Sequence, residues 1–279
     1  MIQRRTTGIV LGAVLIVLGL VQGWPLRLLL VACMALSMFE MYGAFAHRGS
    51  HPARWVGALY TAAVLPAYWL WGSAAFMPLA TLSMMLGMSA VLSRGQGDFD
   101  SLVATVFPLI YPGMMFPMLL AVQDMGGRAM ALLALLLVFL VSLMGDVMAY
   151  EVGTLWGRRK LCPAISPKKT VEGALAGVVT STLRALLALA VVTLVTTYIP
   201  ALQPYREAFP PAWQLAIVGL IGGVASQFGD LTASLVKRYC GVKDYGSILP
   251  GHGGLMDRID GVLFNAAVVY IYFSMVVIR

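Results

Sequence analysis

The sequence predicts an all-α, polytopic integral membrane protein of about nine transmembrane helices, with its polar chemistry in loops on one side. Three observations carry this. The 279 residues are 60% hydrophobic with a mean hydropathy of +0.86. Only 11% of them are charged, against roughly 25% in an ordinary soluble domain. Apolar runs recur along the chain, each near the roughly 20 residues that a helix needs to cross the hydrocarbon, and the basic residues are shared unevenly between alternate connections, as the positive-inside rule requires.

The first run, near 8 to 22, follows Arg4 and Arg5. It is read as a span and not a signal peptide, because Trp24 and Pro25 follow it where a small-residue cleavage site would stand. Runs near 27–46, 55–71, 74–92, 102–122, 129–150, 171–197, 212–233 and 259–277 complete the nine. The fifth carries Pro108, Pro112 and Pro117 around Tyr111, so it has to bend or partly unwind, and a bend is the simpler expectation. With the N-terminus inside, most of the 19 Lys and Arg residues fall in cytoplasmic connections, and only Arg27, Arg128, Arg206 and Arg279 fall opposite. The N-terminus and the polar loops are therefore expected on the cytoplasmic side of the cytoplasmic (inner) membrane, and the C-terminus outside. Residues 1–125 read as N-terminal membrane helices and 126–279 as the half that carries the loops, in one integrated membrane domain.

Composition also excludes some classes. Cys33, Cys162 and Cys240 are odd in number, widely spaced and match no metal-ligand pattern, so three free thiols are expected. The net charge of +7 sits beside apolar segments, where it orients helices and meets anionic headgroups. No nucleic-acid-binding module is visible. The methionines are scattered and assigned to packing, and neither an internal repeat nor a long linker is found.

The longest polar run that also looks suited to chemistry is SLVKRYCGVKDYGSILPGHGGLMDRID, Ser234 to Asp260. It combines the cations Lys237, Arg238, Lys243 and Arg258 with Asp244, Asp257, Asp260 and His252, and its glycines let backbone approach a ligand. Phosphate and metal are the guests such a run suits. If a helix starts after it, Asp257 and Asp260 lie near the first turn beside free amides, an end that can hold a phosphate while the carboxylates hold a cation. Upstream, Asp230, Ser234 and Lys237 share a helix face at i, i+4 and i+7. The alternative is a plain helix end whose lysine and arginine point to headgroups. Gly222, Gly223 and Gly229 favour close helix contact there.

A second loop reads DVMAYEVGTLWGRRKLCPAISPKKTVEG, with Asp146 at the membrane edge and Ser166, Lys168 and Lys169 ahead of Glu172. Pro167 suits a helix entry and Thr170 an N-cap. A carboxylate at mid-bilayer costs about 2.5–3.5 kcal/mol, so Asp146 and Asp230 should face protein or water. Glu40, near the end of the second run, is read as a structural hydrogen-bonding group before a site residue.

These two loops resemble the phosphatidate cytidylyltransferases, also called CDP-diacylglycerol synthases. The resemblance rests on Ser234, Lys237, Arg238, Lys243, Asp244, Pro250, His252, Gly253, Gly254, Asp257, Arg258 and Asp260 in the C-terminal run. In the second loop it rests on Asp146, Ala149, Tyr150, Gly153, Gly157 and the SPKKT segment with Glu172 and Gly173. It covers the chain from about 140 to the end, and Glu151 departs from the apolar or aromatic residue more usual at its position.

The resemblance implies transfer of the cytidylyl group of CTP to phosphatidic acid, giving CDP-diacylglycerol and pyrophosphate. It implies Mg2+, with K+ as a candidate second cation, membrane lipids as surroundings and a homodimer. Asp230 and Asp257 would hold magnesium, with Asp260 and Asp146 as further metal partners. Lys237, Arg238, Lys243 and Arg258 would meet phosphates. His252, Gly253 and Gly254 would present a turn to the triphosphate, and Ser166, Lys168, Lys169, Ser234 and Asp244 complete the substrate-binding set. Rival readings are a polytopic transporter, a non-catalytic scaffold, or transfer to another lipid phosphate such as an ether lipid.

Overall fold

Why the apolar runs become helices follows from their surroundings: with no water in hydrocarbon, a backbone that hydrogen-bonds within its own segment is the solution open to a single span. The computed structural model describes residues 22–95, 98–198, 209–248 and 253–277. The run near 8–22, with Arg4, Arg5, Arg206, Pro250, His252 and Arg279, lies outside the described residues. The helices are α1 (Trp24–His47), α2 (Arg54–Trp71), α3 (Phe76–Leu92), α4 (Phe99–Pro108), α5 (Met115–Val122), α6 (Arg128–Trp156), α7 (Val171–Tyr198), α8 (Ala212–Cys240) and α9 (Met256–Tyr272). Between α6 and α7 lie two short antiparallel strands, β1 (Lys160–Cys162) and β2 (Ser166–Thr170). The described residues thus fit the all-α expectation, with one small hairpin between two helices. Pro167, expected at a helix entry, lies inside β2.

Seven helical runs among the described residues are long and apolar enough to cross a membrane. The nine expected runs included 8–22 and counted 55–71 and 74–92 separately, whereas Arg54–Leu92 is one of the seven. That run is folded. A short turn at Gly72–Ala75 separates α2 from α3, the Tyr68 and Phe76 rings stack at 5.4 Å, and a β-carbon on Gly87 would lie 3.8 Å from Val56. The two helices therefore run antiparallel as a hairpin.

The chain divides into two compact units, Met1–Leu120 with Val236–Ile259, and Ala121–Leu235 with Asp260–Arg279. In the first unit, Tyr42 of α1 packs where a side chain on Gly57 would stand and its hydroxyl donates to the Thr105 carbonyl at 3.2 Å. The Thr105 hydroxyl in turn accepts from the Ala53 amide at 2.9 Å. The proline-rich segment is a break where a bend was expected: Tyr111 leaves helical geometry at φ −133, ψ 110. The Tyr60 hydroxyl donates to the Gly113 carbonyl at 3.2 Å, which satisfies an acceptor exposed by the break.

In the second unit α6 and α7 pack along two rows of small residues spaced by four. A β-carbon on Gly145 would meet the Ser181 hydroxyl at 2.7 Å, and one on Gly177 would meet Ala149 at 3.1 Å. One on Gly173 would come within 3.0 Å of Gly153. Small-xxx-small rows let backbones approach where lipid supplies no hydrophobic drive for association. The α8 glycines singled out in the sequence make close helix contacts: Gly222 lies against Asn265, Gly223 against Ser181 and Gly229 against the Asp260 carbonyl, and Gly219 adds a contact with Ala185. Asn265 of α9 donates to the carbonyls of Leu137 and Val138 at 3.0 and 2.9 Å, tying α9 to α6. On α7, Leu175, Val179, Leu183, Leu187 and Leu194 are exposed along one stripe, the face such a helix turns to lipid.

Gly57→Leu is expected to lower the thermal midpoint in detergent, at an overpacking cost of about 1–3 kcal/mol, because the Tyr42 ring is anchored through Thr105. An unchanged midpoint would mean that the ring can move aside.

Candidate functional site

Building from the hairpin outward, Lys160 pairs with Thr170 and Cys162 with Ser166 across the two strands. The hairpin is stitched at its base by Glu172, whose carboxylate accepts from the amides of Arg158 at 3.1 Å and Arg159 at 3.2 Å. The Val171 amide donates to the Arg159 carbonyl at 2.9 Å. Thr170 caps α7 as its sequence position suggested, its hydroxyl accepting from the Gly173 amide at 3.2 Å. Gly153 and Gly157 face that threonine closely enough that a side chain on either would collide with it.

This arrangement frames a cavity of about 630 Å³ within the second unit. Its wall brings together Asp146 from α6, Lys160 from β1, Lys168 and Lys169 from β2, and Gln227 and Asp230 from α8. Lys169 forms an ion pair with Asp230, and the Ser234 hydroxyl donates to Asp230 at 3.3 Å. Because α8 is continuous from Ala212 to Cys240, Asp230, Ser234 and Lys237 do occupy one helix at the expected spacing. Ser166 is held in the strand pairing and does not line the cavity. Asp260 is buried at the start of the second unit's part of α9, its carboxylate accepting from the Gly261 amide at 2.7 Å. Glu151 is exposed on α6 and is not part of the wall.

The first unit holds a second acidic centre around Asp257. Lys237 donates to Asp257 Oδ1 at 2.6 Å, with the two side chains 12% and 4% exposed. Asp257 Oδ2 accepts from the amides of Tyr245 at 2.9 Å and Gly254 at 3.0 Å. Gly253 adopts φ +83, a conformation that favours glycine, and a β-carbon there would lie 3.1 Å from Asp257 Oδ2. Arg238, Lys243, Asp244 and Arg258 are exposed around this centre. Glu40 of α1, 3% exposed, accepts from the amides of Leu255 at 3.0 Å and Met256 at 2.8 Å. The expectation that the start of α9 offers its amides to a phosphate is therefore corrected. Those of Gly254, Leu255 and Met256 already donate to Asp257 and Glu40.

Sequence reasoning passed over Lys160 and Gln227. A strand of three residues is too short to leave a periodic signal, and Gln227 looks like one more polar residue on a helix until its amide is seen donating to the Ala174 carbonyl at 2.8 Å. No group of three or more His, Cys, Asp or Glu side chains converges as a metal cage among the described residues. The donor chemistry still fits magnesium, which takes one or two carboxylates and completes its shell with water and substrate phosphate. Asp146 and Asp230 line one cavity in that manner.

An integral membrane protein whose lysines and carboxylates share a pocket of this kind belongs to a class that handles phosphates at a membrane. The particular family follows from comparison: a model described as the cytidylyltransferase family matches residues 2–276, and the chain belongs to that family. It is 30% identical over 273 residues to a phosphatidate cytidylyltransferase of Bacillus subtilis, covering 96% of each chain. It is 28% identical over 301 residues to phosphatidate cytidylyltransferase 5, chloroplastic, of Arabidopsis thaliana, covering 96% of this chain and 70% of the other. It is 36% identical over 203 residues to the uncharacterized protein YnbB of Escherichia coli, covering 72% of this chain and 60% of that one, less than two thirds of that relative's length.

The two ion pairs differ in burial, and that sets their worth. Lys237→Met leaves a buried carboxylate with only its two amide donors and is expected to cost toward the lower end of about 3–5 kcal/mol. Lys169→Met removes the partner of a carboxylate that is 27% exposed and should cost at most about 1 kcal/mol. Thermal midpoints of the two variants test the ranking; equal losses would overturn it.

Proposed function

We propose that this protein transfers the cytidylyl group of CTP to phosphatidic acid, giving CDP-diacylglycerol and pyrophosphate. The observation that carries the reading is the cavity in which Lys160, Lys168 and Lys169 meet Asp146 and Asp230, in a member of the cytidylyltransferase family. A phosphate oxygen of the lipid attacks the α-phosphorus of CTP, an O–P bond forms, and the bond from that phosphorus to the bridging oxygen of pyrophosphate breaks. The nucleophile is already anionic near neutral pH, its second pKa being about 6 by analogy with phosphorylated side chains. No general base is therefore required, and catalysis is positioning with charge neutralisation.

The lysines of the cavity neutralise phosphate charge and orient the two anions. Asp146 and Asp230 are the carboxylates we assign to magnesium there, and the ion would supply electrostatic stabilisation of the transferring phosphoryl group. Asp257 and Asp260 are assigned to metal or its surroundings as well, with K+ as the candidate second cation. Ser166, Ser234, Asp244, Gly253 and Gly254 remain assigned to substrate binding. Arg238, Lys243 and Arg258, exposed around Asp257, are the cations proposed to receive phosphate. We assign nine crossings to the chain, with the N-terminus and both loops in the cytoplasm, an inner-membrane location and a homodimer, on the charge asymmetry of the loops and on the resemblance.

The test is product formation in lipid nanodiscs from labelled CTP, phosphatidic acid and magnesium. Wild type should give labelled CDP-diacylglycerol, and Asp257→Asn should lose at least about 100-fold in turnover, the scale of removing a key electrostatic group. Because Asn would set an amide group against a lysine or a backbone N–H, its folded yield is measured alongside. Wild-type transfer to a different lipid phosphate, or flux without CTP consumption, would overturn the substrate assignment.

Orientation is tested by thiol labelling. Cys162 is partly exposed while Cys240 is buried, so Cys162 is the thiol expected to label, and only from the cytoplasmic side. Labelling of Cys162 in intact cells by an impermeant reagent would reverse the orientation.

A further inference from the structure

We propose that Glu40 is a positioning residue for Asp257, acting from the other end of the chain through the backbone of the loop that precedes α9. The inference rests on the reading of Asp257 as part of the transferase site. Glu40 is buried in α1, and both of its carboxylate oxygens are used: Oε1 accepts from Leu255 and Oε2 from Met256, at 3.0 and 2.8 Å. The next residue is Asp257. Among the described residues Glu40 has no lysine or arginine partner, so backbone amides at the start of a helix are what meet its charge.

The loop has been shaped to this carboxylate. A β-carbon on Gly246 would lie 2.6 Å from Glu40 Oε1, and one on Gly254 would lie 2.6 Å from Oε2. A side chain at either glycine would therefore have to displace the Glu40 carboxylate from its place. Gly254 also gives its amide to Asp257. One residue therefore touches both carboxylates, packing on one and hydrogen-bonding the other. Fixing the amides of 255 and 256 fixes the backbone from which the Asp257 side chain projects.

Only a carboxylate fits this role. Two adjacent N–H donors need two acceptor oxygens, and glutamine offers one oxygen and an NH2 group that would face the second N–H. Glu40→Gln should therefore release one amide and let Asp257 wander, without touching substrate. Gly254→Ala should do the same from the loop side by pushing the carboxylate away. Ser37→Ala is the control: Ser37 is buried on the same helix and donates to the Cys33 carbonyl at 2.8 Å, so its loss perturbs α1 but not the loop.

The experiment combines kinetics with hydrogen exchange on the full-length protein in nanodiscs. Glu40→Gln and Gly254→Ala are each expected to lower kcat at least about 10-fold, and in Glu40→Gln, which touches no substrate, the KM for CTP should stay within about twofold, since mispositioning acts on the chemical step. The double variant should be little worse than either single one, as expected for residues that share a contact. Amides of residues 245–248 and 253–258 should exchange faster in both variants and not in Ser37→Ala. Full activity in Glu40→Gln, unchanged exchange in that segment, or the same kinetic loss in Ser37→Ala would overturn the proposal. Should the wild type make no CDP-diacylglycerol, the functional reading fails, and the exchange result alone decides whether Glu40 holds the loop.

Discussion

Asp257 sits almost wholly out of solvent and takes three donors: the Lys237 ammonium, the Tyr245 amide and the Gly254 amide. An unmet carboxylate in such a place is more costly than almost any single packing contact, because desolvation of the charge is not returned. The connection between α8 and α9 is therefore held at Tyr245 and at Gly254. It must deliver two backbone amides to one oxygen, which demands the tight turn at Gly253 and a bare α-carbon at Gly254. It must also deliver two further amides to Glu40. The last turn of α8 contributes the lysine.

The same rule explains the other unit in a different way. Asp230 is partly open to solvent, and its partner Lys169 comes from a strand, not from a helix end. The pair is weaker by its exposure. That suits a cavity wall, where a carboxylate and an ammonium have to be able to exchange each other for a ligand. The hairpin holding Lys160, Lys168 and Lys169 is fixed at its base by Glu172 and Thr170, both at the start of α7. Charges at the cavity are thus placed by hydrogen bonds outside it.

Between α6, α7 and α8, packing relies on small residues. The rows Gly145, Ala149, Gly153 and Gly173, Gly177, Ser181 bring α6 and α7 together, and Gly219, Gly223 and Gly229 do so for α8. Large apolar side chains are freed to face outward, as on α7. Close backbone approach in turn gives side chains such as Ser181 and Asn265 carbonyls to bond on neighbouring helices, at 3.0 Å to Val141 for the former.

Hydropathy, charge asymmetry and two polar motifs are local properties, so the sequence by itself determined that the chain is a set of long apolar helices and which connections concentrate the charged residues. Thr170 as a cap and the glycines of α8 were legible for the same reason, since a cap or a close-contact glycine is a matter of residue type at a position. The break at Tyr111 was half legible: prolines announce a disturbance, but whether it bends or opens depends on a partner such as Tyr60, which lies far away in sequence. Only the tertiary structure decided what the acids do. Glu40 meets amides more than two hundred positions away, Lys169 pairs with Asp230, and a three-residue strand brings Lys160 to the cavity wall. A carboxylate's role is set by the donors that reach it, and donors from distant segments leave no mark on the sequence around it.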